Sequence, residues 1–207
     1  MTAKARGRYW LIAGAVLALA IAIGAGFALV PANQGSGDGA SYGEAAIGGP
    51  FSLVDHTGER RTEEDFRGQY LLVYIGYTFC PDFCPIGLTT ISNAMDQLGA
   101  EAGEQVTPIF ISIDPKRDTV EAMADYVSLF HEDMVGLTGT PEETAAAAKV
   151  YRAYYAFPEG QESDAYVVDH STFIYLMGPD GRYLAHFAHN EDPARIAEQI
   201  EAYMAGS

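Results

Sequence analysis

Three stretches with different hydrophobic patterning divide this chain. From Tyr9 to Val30 no charged residue occurs and apolar residues predominate on every side. Residues 31–49 (PANQGSGDGASYGEAAIGG) lose any apolar period and are rich in Gly, Ser and Ala. From Pro50 onward, short apolar runs take turns with segments of helical period, which predicts strands separated by helices.

In that last stretch Phe51–Asp55 predicts a short strand and turn, and Thr62–Phe66 a brief helical turn. Tyr70–Tyr77 is apolar at nearly every position, the mark of a strand buried on both faces. A helical pattern follows from Pro85 to about Leu98, then a second apolar strand from Val106 to Ile113. A helix capped by Asp118 or Thr119 runs to about Phe130, Val135–Leu137 is a short strand, and Thr140 with Pro141 opens another helix. After Tyr151–Phe157 and a polar loop (158–164), Thr172–Met177 and Arg182–Phe187 pair around the turn Gly178-Pro179-Asp180-Gly181. A last amphipathic helix covers about Asp192 to Met204. The order points to an α/β fold with a mixed sheet between helices, without internal repeats.

The first run, at 22 residues, is long enough to span a bilayer and too long for a typical signal-peptide core. Lys4, Arg6 and Arg8 precede it, so the expected layout is a cytoplasmic segment 1–8, an anchor 9–30, a flexible linker 31–49 and an exported domain 50–207. Val30-Pro31-Ala32 is a poor cleavage site, which favours retention of the anchor, and Trp10 suits its interface. All 28 acidic residues but only nine of the twelve basic ones lie beyond the anchor, a net charge of −19. Such a surface excludes nucleic acid as a partner, because phosphate contacts need basic groups.

The chain has two cysteines, Cys80 and Cys84, in Tyr77-Thr78-Phe79-Cys80-Pro81-Asp82-Phe83-Cys84-Pro85. They stand between the first buried strand and the helix after it, where a helix N-terminus favours thiolates. Three intervening residues depart from the Cys-x-x-Cys of disulfide oxidoreductases. Pro85 suits a first helical position, which puts Cys84 at the N-cap and Cys80 on the loop before it. Two converging thiolates suit copper(I) or zinc, and a third ligand has to come from elsewhere. A plain disulfide would close a loop of a few residues and stabilise little. The six methionines are scattered, unlike those of a Met-rich copper carrier.

Of the five histidines, His56 and His131 lie in turn-like or acidic surface stretches. His186 and His189 lie three apart at a strand end, a conceivable but weak second metal site. His170, in Val167-Val168-Asp169-His170-Ser171-Thr172, directly precedes an apolar strand, and a mixed sheet with that strand beside the first would bring this loop against the cysteine loop. Asp169, and Asp82 within the cysteine loop, are candidates to steady the ligands or to meet a partner.

Gly76–Pro85, Ser112-Ile113-Asp114-Pro115-Lys116-Arg117-Asp118-Thr119, Gly136–Glu142, Val168–Ser171 and Tyr175–Gly181 together resemble the Sco/SenC family of membrane-tethered copper chaperones for cytochrome c oxidase assembly. The resemblance covers nearly all of residues 45–205. It implies a thioredoxin-like fold and one copper ion bound by Cys80, Cys84 and His170, with His170 in the region where thioredoxin relatives present a cis-proline. It further implies an upstream copper donor, the copper-site subunit of the oxidase as recipient, and an inner-membrane protein with a periplasmic domain. A redox-active Cys80–Cys84 disulfide in the metal-free form fits an alternative activity, thiol–disulfide exchange. The family commonly has a small aliphatic residue where this chain has Phe83.

Overall fold

The computed structural model describes residues 47–160 and 165–206. Among the described residues, seven strands form one sheet in the order β2-β1-β5-β4-β3-β8-β9. They are β1 (Ser52–Asp55), β2 (Arg60–Thr62), β3 (Tyr70–Gly76), β4 (Val106–Ser112), β5 (Val135–Thr138), β8 (Phe173–Met177) and β9 (Tyr183–Ala188). β3, β4 and β5 run parallel, and the other pairings in the sheet are antiparallel. β6 (Tyr155–Ala156) and β7 (Asp169–His170) make a separate antiparallel ribbon. This is the mixed α/β architecture that the pattern predicts.

β3 is buried at all seven positions, which explains its unbroken apolar run. Its residues alternate between two covered faces. Tyr74, paired with Phe110, which in turn pairs with Gly136, looks toward α1 (Phe83–Gln97) and α3 (Val120–Val127). A Cβ at Gly87 of α1 would overlap the Tyr74 ring, and one at Gly136 would press on Val127 and Met123 of α3. α5 (Pro193–Ala205) packs against α1, and its Ile196, Ala197 and Ile200 are buried. On the opposite face, Val73 is cross-strand neighbour to Tyr175, whose ring meets Tyr151 at the end of α4 (Pro141–Val150) at 5.7 Å.

Helix starts follow side-chain chemistry. Thr119 accepts from Ala122 N–H, Thr140 forms a capping box with Glu143 ahead of Pro141, and Asp192 accepts from Ala194 N–H ahead of Pro193. α3 ends at Val127, three residues short of the expected Phe130, because Ser128–Phe130 turn back with Phe130 N–H donating to Val127 O. β2, the ribbon β6–β7 and the one-turn α2 (Ala100–Gly103) are additions to the expected elements.

The expected anchor at 9–30 lies outside the described residues, and among the described residues no helix is long and apolar enough to cross a membrane. The last three residues of the expected linker belong to the folded part. Ile47 packs on the core, and Gly48 N–H donates to Val150 O at 2.8 Å.

Candidate metal centre

The cysteine loop leaves β3 at Tyr77, which is fully buried, and is pinned at once to a carboxylate. Thr78 donates to Asp118 from its N–H and, at 2.6 Å, from its hydroxyl. Ser112 at the end of β4 donates to the same carboxylate at 2.5 Å, and Thr138 of β5 donates to the Asp118 carbonyl at 2.7 Å. Asp118 thus joins the ends of three parallel strands. Burial pushes its carboxyl above the ordinary range, against the Ser112 and Thr78 hydrogen bonds that favour the anion.

The helix begins earlier than the expected position. Asp82, not Cys84, is the N-cap, and its side chain makes no capping bond. Cys84 is the second helical residue and Pro85 the third. The pre-proline preference loses to the general tolerance of proline in a first turn, where N–H groups lack helical partners. One of those N–H groups, that of Cys84, donates to Cys80 Sγ at 3.4 Å. Gly76 provides room behind the pair, since a Cβ there would overlap Cys84 Sγ. Tyr74 holds the helix start to the sheet by donating its hydroxyl to Phe83 O at 3.2 Å.

Both cysteines are free thiols, Cys84 completely buried and Cys80 6% exposed. Their chemistry is asymmetric. A hydrogen bond from the Cys84 thiol, opposed by burial and helped by two backbone N–H groups, lowers Cys80 to about 3. Burial, then the neighbouring Cys80, pushes the Cys84 thiol well above its ordinary range. The reduced pair therefore holds one thiolate and one thiol at neutral pH.

His170 brings the third donor. Its Nε2 stands 3.7 Å from Cys80 Sγ and 3.5 Å from Cys84 Sγ. Nδ1 lies 2.8 Å from Ser171 O, so Nδ1 carries the proton and the Nε2 lone pair faces the sulfurs. The rings of Tyr74 and Tyr77 meet the imidazole edge-on, at 6.4 Å and 5.6 Å. Metal–sulfur and metal–nitrogen bonds of about 2.3 and 2.0 Å, at angles between tetrahedral and trigonal, place sulfur and nitrogen about 3.5–3.7 Å apart. The three donors, all within 4.8 Å of one another, are placed to share one small ion.

The other sequence candidates fall elsewhere. Asp169 is exposed, and the Ser171 carbonyl, not Asp169, orients the ring. Asp82 is exposed at the helix cap. His56 accepts from Gly136 N–H, and His131 from Asp133 N–H. His186 meets Phe173 and Tyr183, whereas His189 meets Phe83; among the described residues the two form no metal cluster. Tyr77 and Arg117, to which the sequence pattern gives no role, and Asp118, a candidate helix cap in sequence but not the N-cap, frame the site instead. Arg117 is nearly buried, lies over the Tyr166 ring at 3.5 Å and the Phe79 ring at 4.8 Å, and pairs with Asp114 at 2.5 Å. A polar residue next to an apolar strand end was the available signal, and it is a weak one.

Residues 39–205 match the model of the SCO1/SenC family. The chain belongs to that family. It is 47% identical over 163 residues to the mitochondrial Protein SCO1 homolog of Homo sapiens, a match covering 78% of this chain and 54% of that protein. The chain thus spans about half the length of the curated relatives that it matches. Among solved structures, copper-bound ScoI of Arabidopsis thaliana is 39% identical with a TM-score of 0.72, over 78% of this chain and all of that one. Copper-bound ScoI of Bradyrhizobium japonicum is 39% identical with a TM-score of 0.70, over 76% of this chain and 99% of that one. The fold is thioredoxin-like, as the resemblance implies.

Proposed function

We propose that this chain is a membrane-tethered copper carrier that serves the assembly of the dinuclear copper site of cytochrome c oxidase. The observation that carries the reading is the convergence of Cys80 Sγ, Cys84 Sγ and His170 Nε2 at distances suited to one ion. Copper bound in two family structures at 39% identity supports copper as the cargo. Two sulfurs and one imidazole suit soft copper(I), and the nitrogen extends the site to copper(II). Capture releases the Cys84 proton, while the Cys80 thiolate and the Nε2 lone pair are already in place. Three ligands leave the ion open to an incoming thiolate from the recipient subunit, and loading by a donor protein follows the reverse exchange. Asp82 and Asp169, exposed beside the ligands, are the proposed partner-facing charges.

The anchor 9–30 and the linker before the domain hold the carrier near a membrane-bound recipient, raising its effective concentration. The basic flank places residues 1–8 in the cytoplasm and the domain in the periplasm, as a single-pass inner-membrane protein. The full chain should stay with membranes after a salt wash; recovery as free protein would sink the tether.

A second reading, thiol–disulfide exchange on exported cysteine proteins, draws on the single low-pKa thiolate beside a second thiol. Anaerobic copper titration of the reduced full chain separates the two. Cys80→Ser and Cys84→Ser should each abolish tight copper binding, and His170→Ala should weaken copper(II) most while leaving disulfide formation intact. If His170→Ala binds both oxidation states as wild type does, the ligand assignment is wrong. If it loses thiol–disulfide activity instead, the second reading prevails.

A further inference from the structure

His170 reaches the sulfurs from outside the main sheet. Its strand, β7, has two residues and pairs with the two residues of β6. A ribbon that short is marginal by itself. Ser171 N–H donates to Tyr154 O at 2.9 Å and Tyr154 N–H donates to Ser171 Oγ at 3.0 Å, but these bonds tie β7 to a neighbour as short as itself. A different bond crosses to the cysteines. Val168 N–H donates to the phenol oxygen of the fully buried Tyr77 at 3.0 Å.

Tyr77 holds both arms of the site. Its carbonyl accepts from Cys80 N–H at 3.2 Å, its phenol accepts from the segment two residues before His170, and its ring meets the imidazole. Arg117 brackets the same junction, with its guanidinium 5.4 Å from the Tyr77 ring centre and a bond to Tyr166 O at 2.9 Å.

We infer that Tyr77 is a positioning residue, whose phenol oxygen fixes the distance from the His170 imidazole to the two sulfurs. The inference rests on the metal reading above. Tyr77→Phe keeps the ring and its packing but leaves the buried Val168 N–H without its acceptor, so the histidine segment loosens. Copper(I) is held by two thiolates, whereas copper(II) depends on the nitrogen. The variant should therefore retain copper(I), hold copper(II) about tenfold less tightly, the worth of one buried hydrogen bond, and lose part of the copper(II)–thiolate absorption.

The test compares full-length wild type, Tyr77→Phe, His170→Ala and the double variant. Copper(II) retention is measured against a competing chelator, and amide exchange at Val168 is measured in the metal-free protein. Expected are about tenfold faster exchange at Val168 in Tyr77→Phe, and a double variant no weaker for copper(II) than His170→Ala alone. Wild-type exchange and wild-type copper(II) retention in Tyr77→Phe would overturn the positioning role. So would additive losses in the double variant, which would make Tyr77 a general structural residue. His170→Ala behaving as wild type would instead remove the ligand assignment, and the positioning role with it.

Discussion

Cys80 and Cys84 follow a seven-residue strand buried at every position, whereas His170 sits half-exposed on a two-residue strand beside the exposed Asp169. The cysteine arm shares in the stability of the core. Tyr74, Gly76, Phe110 and the Asp118 network all bear on it, so it opens only when much of the domain opens. The histidine arm depends on a handful of hydrogen bonds at the edge of the domain, the low-stability end of a fold, where local opening requires no global unfolding. One half of the centre is a fixed wall and the other a movable one.

The largest effect expected from this contrast concerns protons. The fixed wall splits its two thiols apart, so ultraviolet thiolate absorbance of the reduced, metal-free chain should show one thiolate persisting to about pH 3 and the second appearing only above the ordinary thiol range. The sign for stability follows. A lowered Cys80 pKa stabilises the fold fully above its unfolded value of about 8.5, and that contribution is lost as pH falls toward 3. The raised Cys84 pKa acts oppositely, costing stability as pH rises past its unfolded value. Two thiols titrating together near the ordinary value would erase the asymmetry.

A smaller effect sets the arms against each other directly. Gly76→Ala forces a methyl onto Cys84 Sγ inside the core and should cost about 1–3 kcal/mol in denaturant unfolding, as overpacking does. Ser171→Ala removes one hydrogen bond at the edge and should cost about 1 kcal/mol or less. The reverse order would show that the histidine arm, not the cysteine arm, is integral to the core.

The sequence made the cysteine arm readable because burial on both faces leaves an unbroken apolar run at Tyr70–Gly76, and because caps such as Thr140 with Glu143 carry their own chemistry. His170 stood out by its place before the strand Phe173–Met177, and its convergence with the sulfurs came from the family resemblance. The ribbon was not legible, since two residues carry no period. Nor were the roles of Asp118 and Arg117, because a buried, bonded charge looks in sequence like any surface charge. The helix starts two residues before Pro85 because the whole first turn accepts proline, whereas the sequence pattern points to the first position alone.

The bond between His170 Nδ1 and the Ser171 carbonyl has a consequence for the direction of transfer. It freezes the imidazole rotor and its tautomer as the chain folds, before any ion arrives. A floppy ligand would lose about 0.5–1.5 kcal/mol of rotational freedom on capture and regain it on release. Here that entropic recoil is largely absent. Release of the ion therefore gains little ring rotation, even though the arm that carries the ring can open, so the driving force for hand-over has to come from the recipient's own ligands.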